Sequence, residues 1–258
     1  MSKIHSSAII DPSAKIADDV TIGPFCVIGA DVEIGSGTSV GPHVVINGPT
    51  TIGCDNKIYQ FASLGEDPQD KKYAGEPTRL EIGDRNTIRE FCTFNRGTTQ
   101  DKGITRVGND NWIMAYVHLA HDVMVGSNTI LANNVTLAGH VKVGDYAILG
   151  GYTKVHQFCW IGAHSFCAFD TGLGQDLPPY ILAAGSPAVP RGINSEGLKR
   201  RGFTAEGVRG IKQAYRALYR SNLKLVQAIE QIEELAAEQD AVQPLLDFLK
   251  NPNRGIIR

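Results

Sequence analysis

The chain has 258 residues, of which 42% are hydrophobic and 20% are charged, so we expect a folded globular protein and not a disordered or fibrous one. Its formal net charge is −2, which argues against a nucleic-acid protein that binds through bulk positive charge. No apolar run reaches the roughly 18 residues that a transmembrane segment needs, and the start, MSKIHSSAIIDPS, lacks the apolar core of a signal peptide.

A six-residue repeat organises the chain as far as position 173. Aliphatic residues recur at every sixth position from 4 to 64, and the pattern resumes over positions 82–94 and 107–173. A period of six fits a short strand followed by a tight turn, and three such hexads close one triangular coil of about 18 residues. Glycine often follows the aliphatic residue, as at Gly23 and Gly29, and we expect it to supply the left-handed backbone of each corner.

The repeat resembles that of the hexapeptide-repeat acyltransferases, whose fold is a left-handed parallel β-helix. We therefore expect a mainly β protein, with a handedness that the resemblance alone implies, since the usual crossover rule favours a right-handed coil. The β-helix is predicted over residues 1–190. Two breaks in the repeat, 67–79 and 97–105, predict loops that protrude from the rod, often over the binding face.

Residues 191–258 are predicted to form a C-terminal α-helical domain. Thr204 is the expected N-cap of a helix over 205–222, in which Ile211, Ala214 and Leu218 follow helical spacing. Further helices are expected over 223–239 and 241–251. Together they would cover the open end of the rod, where strand groups would otherwise remain unpaired.

Histidines cluster in the last block of repeats. His118 and His121 flank one corner outside the inward aliphatic positions, so they point out of the rod. Asp122 and His140 are 18 residues apart, which predicts that they stack on adjacent coils. Histidine beside a carboxylate suits proton transfer near pH 7. Zinc binding by the imidazoles is the alternative, but no ligand spacing is diagnostic of it.

Other catalytic signatures are missing from the sequence. There is no G-x-S-x-G, P-loop or G-x-G-x-x-G motif. The five cysteines include no C-x-x-C pair, which suits the cytoplasm, and Cys167 at an aliphatic position is expected in the core. These observations leave direct acyl transfer with a general base, without a covalent intermediate.

A basic cluster marks the start of the helical segment. It could dock an acidic protein or hold phosphates. Its members are Lys199, Arg200, Arg201, Arg209, Lys212, Arg216 and Arg220.

Longer segments along the whole chain are similar to the family of UDP-N-acetylglucosamine O-acyltransferases, the first enzymes of lipid A biosynthesis. The most specific are KYAGEPTR, the AHD triplet and NSEGLKRRGF. The resemblance implies a homotrimer that moves an (R)-3-hydroxyacyl group from acyl carrier protein to the glucosamine 3-hydroxyl of UDP-N-acetylglucosamine, without metal or cofactor. It implies that His121 is the general base, that Asp122 orients it and that the Gly139 N–H stabilises the thioester oxyanion.

The resemblance also implies substrate-binding residues in three groups. The substrate-lining residues are His118, His140, His156 and Gln157. The residues that hold the sugar are Asp70 and Lys72, and those that hold uridine and phosphate are Asn194, Glu196, Arg200 and Arg201. Arginine suits the last task because its planar fork binds phosphate bidentately.

Two positions depart from the family pattern. Asn95, in FNRG, stands where familiar members have a site histidine, and asparagine cannot carry a proton near neutral pH. Phe169 occupies the position that acts as the acyl-chain ruler. A bulky ruler closes the far end of the acyl groove and implies a shorter chain, of about ten to twelve carbons. Ordinary packing at a corner is the other interpretation of Phe169.

Three alternatives remain open at this point. Asn95 keeps open an acceptor with a 3-amino group, which would yield an amide. A sugar-nucleotide binding module without chemistry is disfavoured by the intact His121, Asp122 and Arg201. A hexapeptide carbonic anhydrase with zinc between subunits would not need the NSEGLKRRGF helix.

Overall fold

Short parallel strands wind into a triangular rod, and helices follow at its end. The computed structural model describes residues 3–258. Three sheets form the faces of the rod. Sheet A has eleven strands, sheet B nine and sheet C eight.

The first fourteen strands are β1 (Lys3–Ile4), β2 (Ile9–Ile10), β3 (Lys15–Ile16), β4 (Thr21–Ile22), β5 (Val27–Ile28), β6 (Val32–Ile34), β7 (Ser39–Val40), β8 (Val45–Ile46), β9 (Thr50–Ile52), β10 (Lys57–Ile58), β11 (Ser63–Glu66), β12 (Arg79–Ile82), β13 (Thr87–Ile88) and β14 (Thr93–Asn95). The other fourteen are β15 (Ile104–Val107), β16 (Trp112–Ile113), β17 (His118–Leu119), β18 (Met124–Val125), β19 (Ile130–Leu131), β20 (Thr136–Leu137), β21 (Lys142–Val143), β22 (Ile148–Leu149), β23 (Lys154–Val155), β24 (Trp160–Ile161), β25 (Phe166–Cys167), β26 (Gly172–Leu173), β27 (Ile181–Ala184) and β28 (Val189–Ile193).

Each sheet stacks one strand from every coil. Sheet A runs β1-β4-β7-β10-β13-β16-β19-β22-β25-β27-β28, sheet B runs β2-β5-β8-β11-β14-β17-β20-β23-β26, and sheet C runs β3-β6-β9-β12-β15-β18-β21-β24. All pairs are parallel except β27–β28. In this register Ile22 lies beside Val40 and Ile28 beside Ile46, so the aliphatic residues of successive hexads form one buried column on each face.

The core contains the inward positions that the hexad pattern predicts. Cys167 fills one of them, pairs with Leu149 and is fully buried, and burial raises the pKa of its thiol to about 12. Segments 67–78 and 96–103 join strands of neighbouring faces and leave the rod. The rod continues across both insertions, because Ile88 lies beside Ile58 on one side and Ile113 on the other.

Non-glycine residues form the left-handed corners of the coil, which corrects the role expected for the glycines. At most corners the third residue after the inward aliphatic has a positive φ, for example Asp31 (55°) and Tyr116 (64°). Among the glycines that directly follow the aliphatic positions, only Gly65 has a positive φ. The expectation was wrong because close stacking of the coils selects glycine there: a Cβ on Gly23 would lie 2.8 Å from the backbone nitrogen of Pro42.

A ladder of buried asparagines links successive coils inside the rod. Asn56 Oδ1 accepts from the backbone N and Nδ2 of Asn86, at 2.9 and 3.0 Å. Asn86 Oδ1 accepts in the same way from Asn111, at 3.0 and 2.9 Å. Asn111 Oδ1 accepts from the N and Oγ1 of Thr129, at 2.8 and 2.7 Å. The side-chain oxygen of each asparagine therefore accepts from a backbone N–H of the next coil, in the interior of the rod where water cannot pair with that N–H.

Four α-helices complete the chain: α1 (Ser195–Arg200), α2 (Ala205–Tyr219), α3 (Leu225–Glu238) and α4 (Gln243–Lys250), with a 3-10 turn at Asp240–Val242 before α4. Thr204 caps α2 by accepting from Gly207 N at 3.0 Å, as expected. The position proposed as the domain boundary, 190, falls inside β28. Tyr215 and Ile257 pack in the hydrophobic cluster of the rod, so the helices bury its last coil. None of the helices between residues 3 and 258 has the length and apolarity needed to cross a bilayer.

We predict that Asn86→Ala destabilises the rod by about 3 kcal/mol, because it removes four buried hydrogen bonds and leaves the backbone N–H of Asn111 without an acceptor. Asn133→Ala is the matched control, since Asn133 is exposed and its side chain forms no hydrogen bond within the described residues. The control is expected to change stability by less than about 0.5 kcal/mol. Denaturant unfolding of both variants measures the difference, and equal stabilities would contradict the role given to the ladder.

Candidate active site

The histidine cluster lies on the edge where sheet B turns into sheet C. His121 and Asp122 occupy the corner between β17 and β18. Asp122 has a φ of 60°, and His140, one coil further, has a φ of 63°. The His140 N–H donates to the His121 carbonyl at 3.1 Å. The repeat thus stacks His140 on the corner that carries His121 and Asp122, in agreement with the 18-residue spacing.

Asp122 is buried and held from several sides. Its carboxylate accepts from the backbone N of Thr98 at 2.9 Å and from the Thr98 hydroxyl at 2.6 Å. Its own N–H donates to Thr105 Oγ1 at 2.8 Å. Burial by itself would raise the pKa of Asp122, but the hydrogen bonds from His121 and Thr98 outweigh it and hold that pKa below its usual range. The carboxylate is therefore ionised at neutral pH.

His121 is oriented by this carboxylate. Its Nδ1 lies 2.9 Å from Asp122 Oδ2, and its side chain is 16% exposed. With Nδ1–H donating to the carboxylate, Nε2 carries the lone pair that can take a proton from a bound molecule. The ionised partner also stabilises the imidazolium that forms when it does.

Gly139 makes room for this imidazole. A Cβ at position 139 would lie 2.5 Å from Cε1 and 2.8 Å from Nε2 of His121. No protein acceptor for the Gly139 N–H occurs within residues 3–258. A free N–H beside the base is the arrangement that an oxyanion requires.

His140 lies between two carboxylates and an aromatic ring. Its Nδ1 is 3.2 Å from Asp101 Oδ2 and 3.8 Å from Asp122 Oδ2. Its ring stacks on Phe158 at 4.4 Å between centroids and meets His121 edge-on at 5.1 Å. The second loop therefore reaches back over the histidine edge through Asp101.

His118 lies on the face of sheet B beside this corner. Its Nδ1 is 2.7 Å from Thr93 Oγ1, and burial lowers its pKa. His156 and Gln157 belong to a later coil and are exposed at the same edge. The structure thus gathers His118, His140, His156 and Gln157 on the edge that carries His121.

The first loop is fixed to the rod by Arg96. Nη1 donates to the carbonyls of Gly48 (3.1 Å) and Gly65 (2.6 Å), and Nη2 donates to Asp67 Oδ1 and to the Tyr73 hydroxyl (3.1 Å). Arg96 is buried, at 8% exposed. Arg96 therefore fixes the loop that carries Asp70 and Lys72 to the rod.

Asn95 also contacts the first loop. Its Nδ2 donates to the Asp67 carbonyl at 2.7 Å, and the side chain is buried. Asp70 accepts from Lys72 N at 3.0 Å within the loop. The residue that departs from the family pattern thus contacts the loop that carries the proposed sugar-binding residues.

The other predicted site residues lie on the two remaining edges of the rod. Arg201 stacks over Tyr146 at 5.1 Å on the edge between sheets C and A, near Asn194, whose Nδ2 donates to the His164 carbonyl at 2.9 Å. Glu196 and Arg200 are exposed on α1, which Asn194 caps. Phe169 is 70% exposed on the edge between sheets A and B. A single copy of the chain therefore does not bring these groups to His121.

His121, Asp122 and His140 could also hold a metal ion, since each offers a ligand atom and these atoms lie within 4.8 Å of one another. However, Asp122 Oδ2 already accepts from Thr98 and His121. A metal ion would have to replace the His121–Asp122 bond. The donor set thus fits proton transfer better than metal binding.

Sequence reasoning missed the residues that support the site. Thr98, Arg96 and Asp101 come from the strand end and loop before β15, and they reach partners 23 to 48 residues away. The sequence indicates Asn95 and the protruding loop 97–105, but it assigns no role to Arg96 or Thr98. Their partners depend on how the loops fold back, and no repeat spacing encodes that path.

We predict that Arg96→Lys loosens the first loop, because a single ammonium cannot replace four directed hydrogen bonds. Hydrogen exchange at the Lys72 and Tyr73 amides is expected to rise about tenfold, with the coil amides unchanged. Arg85→Lys is the control, since Arg85 also binds a carboxylate, that of Asp110, but on the exposed surface of the rod. Unchanged protection in Arg96→Lys would refute the anchoring role.

Comparisons with known sequences show which proteins this chain resembles. The sequence profile described as "Udp N-acetylglucosamine O-acyltransferase; Domain 2" matches residues 176–257, and that of the bacterial transferase hexapeptide (six repeats) matches residues 13–48 and 104–139. The acyl-[acyl-carrier-protein]–UDP-N-acetylglucosamine O-acyltransferase of Thiobacillus denitrificans is 60% identical over 258 residues, which cover all of both chains. The protein of the same name from Paracidovorax citrulli is 62% identical over 262 residues, again over all of both chains.

Solved structures of similar proteins have the same fold. The crystal structure of a UDP-N-acetylglucosamine acyltransferase from Francisella novicida matches with a TM-score of 0.97 at 48% identity, over 99% of this chain and 94% of that one. An Acinetobacter baumannii structure of the same family gives 0.96 at 48% identity, over 99% of this chain and 100% of that one. These likenesses, with the hexapeptide match, confirm the left-handed parallel β-helix and its C-terminal helical part.

Proposed function

The chain belongs to the family of acyl-[acyl-carrier-protein]–UDP-N-acetylglucosamine O-acyltransferases, and on this basis we propose that it transfers an (R)-3-hydroxyacyl group from acyl carrier protein to the 3-hydroxyl of UDP-N-acetylglucosamine. It is an acyltransferase of the first step of lipid A biosynthesis, a reaction of the cytoplasm. The observation that carries the chemical proposal is the 2.9 Å contact between His121 Nδ1 and the buried Asp122 carboxylate.

The reaction begins with proton removal from the sugar. His121 Nε2 takes the proton of the 3-hydroxyl, and the sugar oxygen attacks the thioester carbonyl carbon. Asp122 keeps Nε2 as the acceptor and stabilises the imidazolium. The C–S bond then breaks, and His121 returns the proton to the departing thiolate. A thioester is already activated, so the reaction needs neither a covalent enzyme intermediate nor a metal.

The negative charge on the oxygen of the tetrahedral intermediate requires a hydrogen-bond donor to stabilise it. Gly139 lies against the His121 imidazole, and its N–H has no protein acceptor within residues 3–258. A preorganised backbone donor of this kind contributes about 3 kcal/mol to transition-state stabilisation in comparable sites. We assign the oxyanion contact to this group.

The acceptor is held by groups on separate edges. Asp70 and Lys72 hold the sugar on the first loop, and His118, His140, His156 and Gln157 line the substrate at the catalytic edge. Asn194, Glu196, Arg200 and Arg201 bind uridine and phosphate, but they lie on another edge of the same rod. A homotrimer resolves this separation, because the edge between sheets C and A of one copy can meet the histidine edge of the next. Such a cleft also excludes water from the base.

Acyl carrier protein docks on the basic cluster at the start of the helices. Arg209, Lys212 and Arg216 are exposed on α2 and form no ion pair within the described residues. Carrier proteins of this kind are acidic, so complementary charge would guide their approach.

Asn95 gives no support to a 3-amino acceptor. Its Nδ2 is engaged by the Asp67 carbonyl, and its environment is the base of the first loop. The hydroxyl acceptor therefore stands as the proposal.

We predict that His121→Ala lowers the transfer rate about 10²- to 10⁴-fold, because it removes the general base. The assay combines UDP-N-acetylglucosamine with 3-hydroxyacyl carrier proteins of graded chain length and follows the acylated sugar nucleotide. His43→Ala is the control, since His43 occupies a corner of the rod stacked between Phe25 and Phe61. Full activity in His121→Ala would exclude this base, and no transfer by the wild-type chain with any donor would exclude the proposed acceptor.

Phe169 sets the acyl length in this proposal. We predict that Phe169→Gly shifts the preferred donor from about ten to twelve carbons toward longer chains, because each added methylene gains about 1–3 kcal/mol of discrimination in a fitted pocket. Tyr152→Phe is the control, since Tyr152 contacts Phe169 edge-on at 5.5 Å and the substitution keeps its bulk. The same donor panel measures both, and an unchanged preference in Phe169→Gly would reject the ruler.

A further inference from the structure

A polar cavity of about 370 Å³ lies away from the histidine edge, where the last strand of the rod meets the helices. Its walls come from β28, the C-terminal end of α2, the turn that precedes α3 and the last residue, Arg258. The cavity contains none of the catalytic or substrate-binding residues proposed above. Of its lining residues, only Arg220 belongs to a surface already given a role, the basic cluster.

The charged side chains that line this cavity are all cationic. They are Arg191, Arg220 and Arg258, and none of them forms an ion pair within residues 3–258. Arg258 is also held in place, because its Nη2 donates to the carbonyls of Leu218 (3.0 Å) and Leu223 (2.9 Å). That contact offsets the negative C-terminal end of α2, which would otherwise repel an anion.

Two tyrosines that line this cavity have buried hydroxyl oxygens. Tyr215 is 7% exposed, and neither its hydroxyl nor that of Tyr219 has a hydrogen-bond partner among residues 3–258. The two rings pack at 5.1 Å between centroids. Burial raises the pKa of Tyr219, so its hydroxyl keeps its proton. A buried hydroxyl without a partner is uncommon and indicates a missing acceptor.

We propose that this cavity binds a phosphate group. Three guanidinium groups and two hydroxyls outnumber what a carboxylate with two oxygens can accept, whereas a phosphate offers three or four acceptor oxygens. The planar fork of arginine suits such an anion. The phosphate comes either as the free ion or on a small phosphorylated metabolite. Its binding joins β28 to α2 and so stabilises the junction between the rod and the helices.

The test measures binding of inorganic phosphate to the full chain at constant ionic strength, by calorimetry and by the rise in melting temperature. We expect saturable binding and a rise in Tm for the wild type, and an affinity about tenfold weaker in Arg191→Gln. Arg209→Gln is the matched control, since it removes an exposed arginine of α2 that does not line the cavity. It should bind phosphate as the wild type does at this site.

The variant Tyr215→Phe distinguishes an effect on phosphate binding from an effect on folding. Removing a hydroxyl that has no partner should leave the phosphate-free Tm unchanged or higher, yet it should weaken phosphate binding several-fold. Glycerol phosphate in place of the free ion distinguishes the sources, because tighter binding identifies a phosphorylated metabolite and equal or weaker binding identifies the free ion. Either result supports the site when it depends on Arg191.

Two results would overturn the proposal. One is no saturable phosphate binding by the wild type, which would mean that the three arginines do not form an anion site. The other is equal loss in Arg191→Gln and Arg209→Gln, which would locate the phosphate elsewhere. Neither depends on the acyltransferase assay, so the acyltransferase proposal and this one can fail separately.

Discussion

The structure depends on the stacking of coils whose corners have left-handed backbone. At most corners the third residue after an inward aliphatic takes a positive φ, a conformation that asparagine, aspartate and histidine tolerate better than most residues. Asp122 and His140 occupy two of these corners. The same constraint that lets the rod turn therefore places a carboxylate and an imidazole at one edge, one coil apart. Equivalent corners elsewhere hold aromatic residues such as Phe61 and Tyr116, so the corner conformation admits a carboxylate or an imidazole but does not select it.

The inward residues and the helix start could be predicted from the sequence, because each follows from a local rule. The six-residue period placed Ile22, Leu119 and Cys167 in the core, and Thr204 caps α2 as its position suggested. The left-handed backbone expected at Gly23 was wrong. Glycine is selected either by a left-handed φ or by the close approach of another backbone segment, and the sequence does not distinguish the two causes. Handedness came from resemblance and not from the period.

The support of the candidate site could not be predicted, because it is made by long-range contacts through loops. Thr98 reaches Asp122 across 24 residues, and Arg96 reaches Gly48 across 48. No periodicity governs these contacts. The Thr98 contacts hold Asp122 buried and so orient His121, although both residues lie at an outer edge of the rod. Asn95 shows the same limit: its resemblance suggested a change in acceptor chemistry, whereas its contacts are with the first loop.

The central claim is that an ionised Asp122 orients His121 as the base. The most direct measurement is the pH dependence of kcat/KM for the wild type and Asp122→Asn. Hydrogen bonds keep the folded pKa of Asp122 below its usual range, so the carboxylate stays charged as pH falls until that lower value is reached. The account predicts that Asp122→Asn lowers the plateau of kcat/KM by up to about 10⁴-fold with the fold intact. A plateau in Asp122→Asn equal to that of the wild type would contradict it.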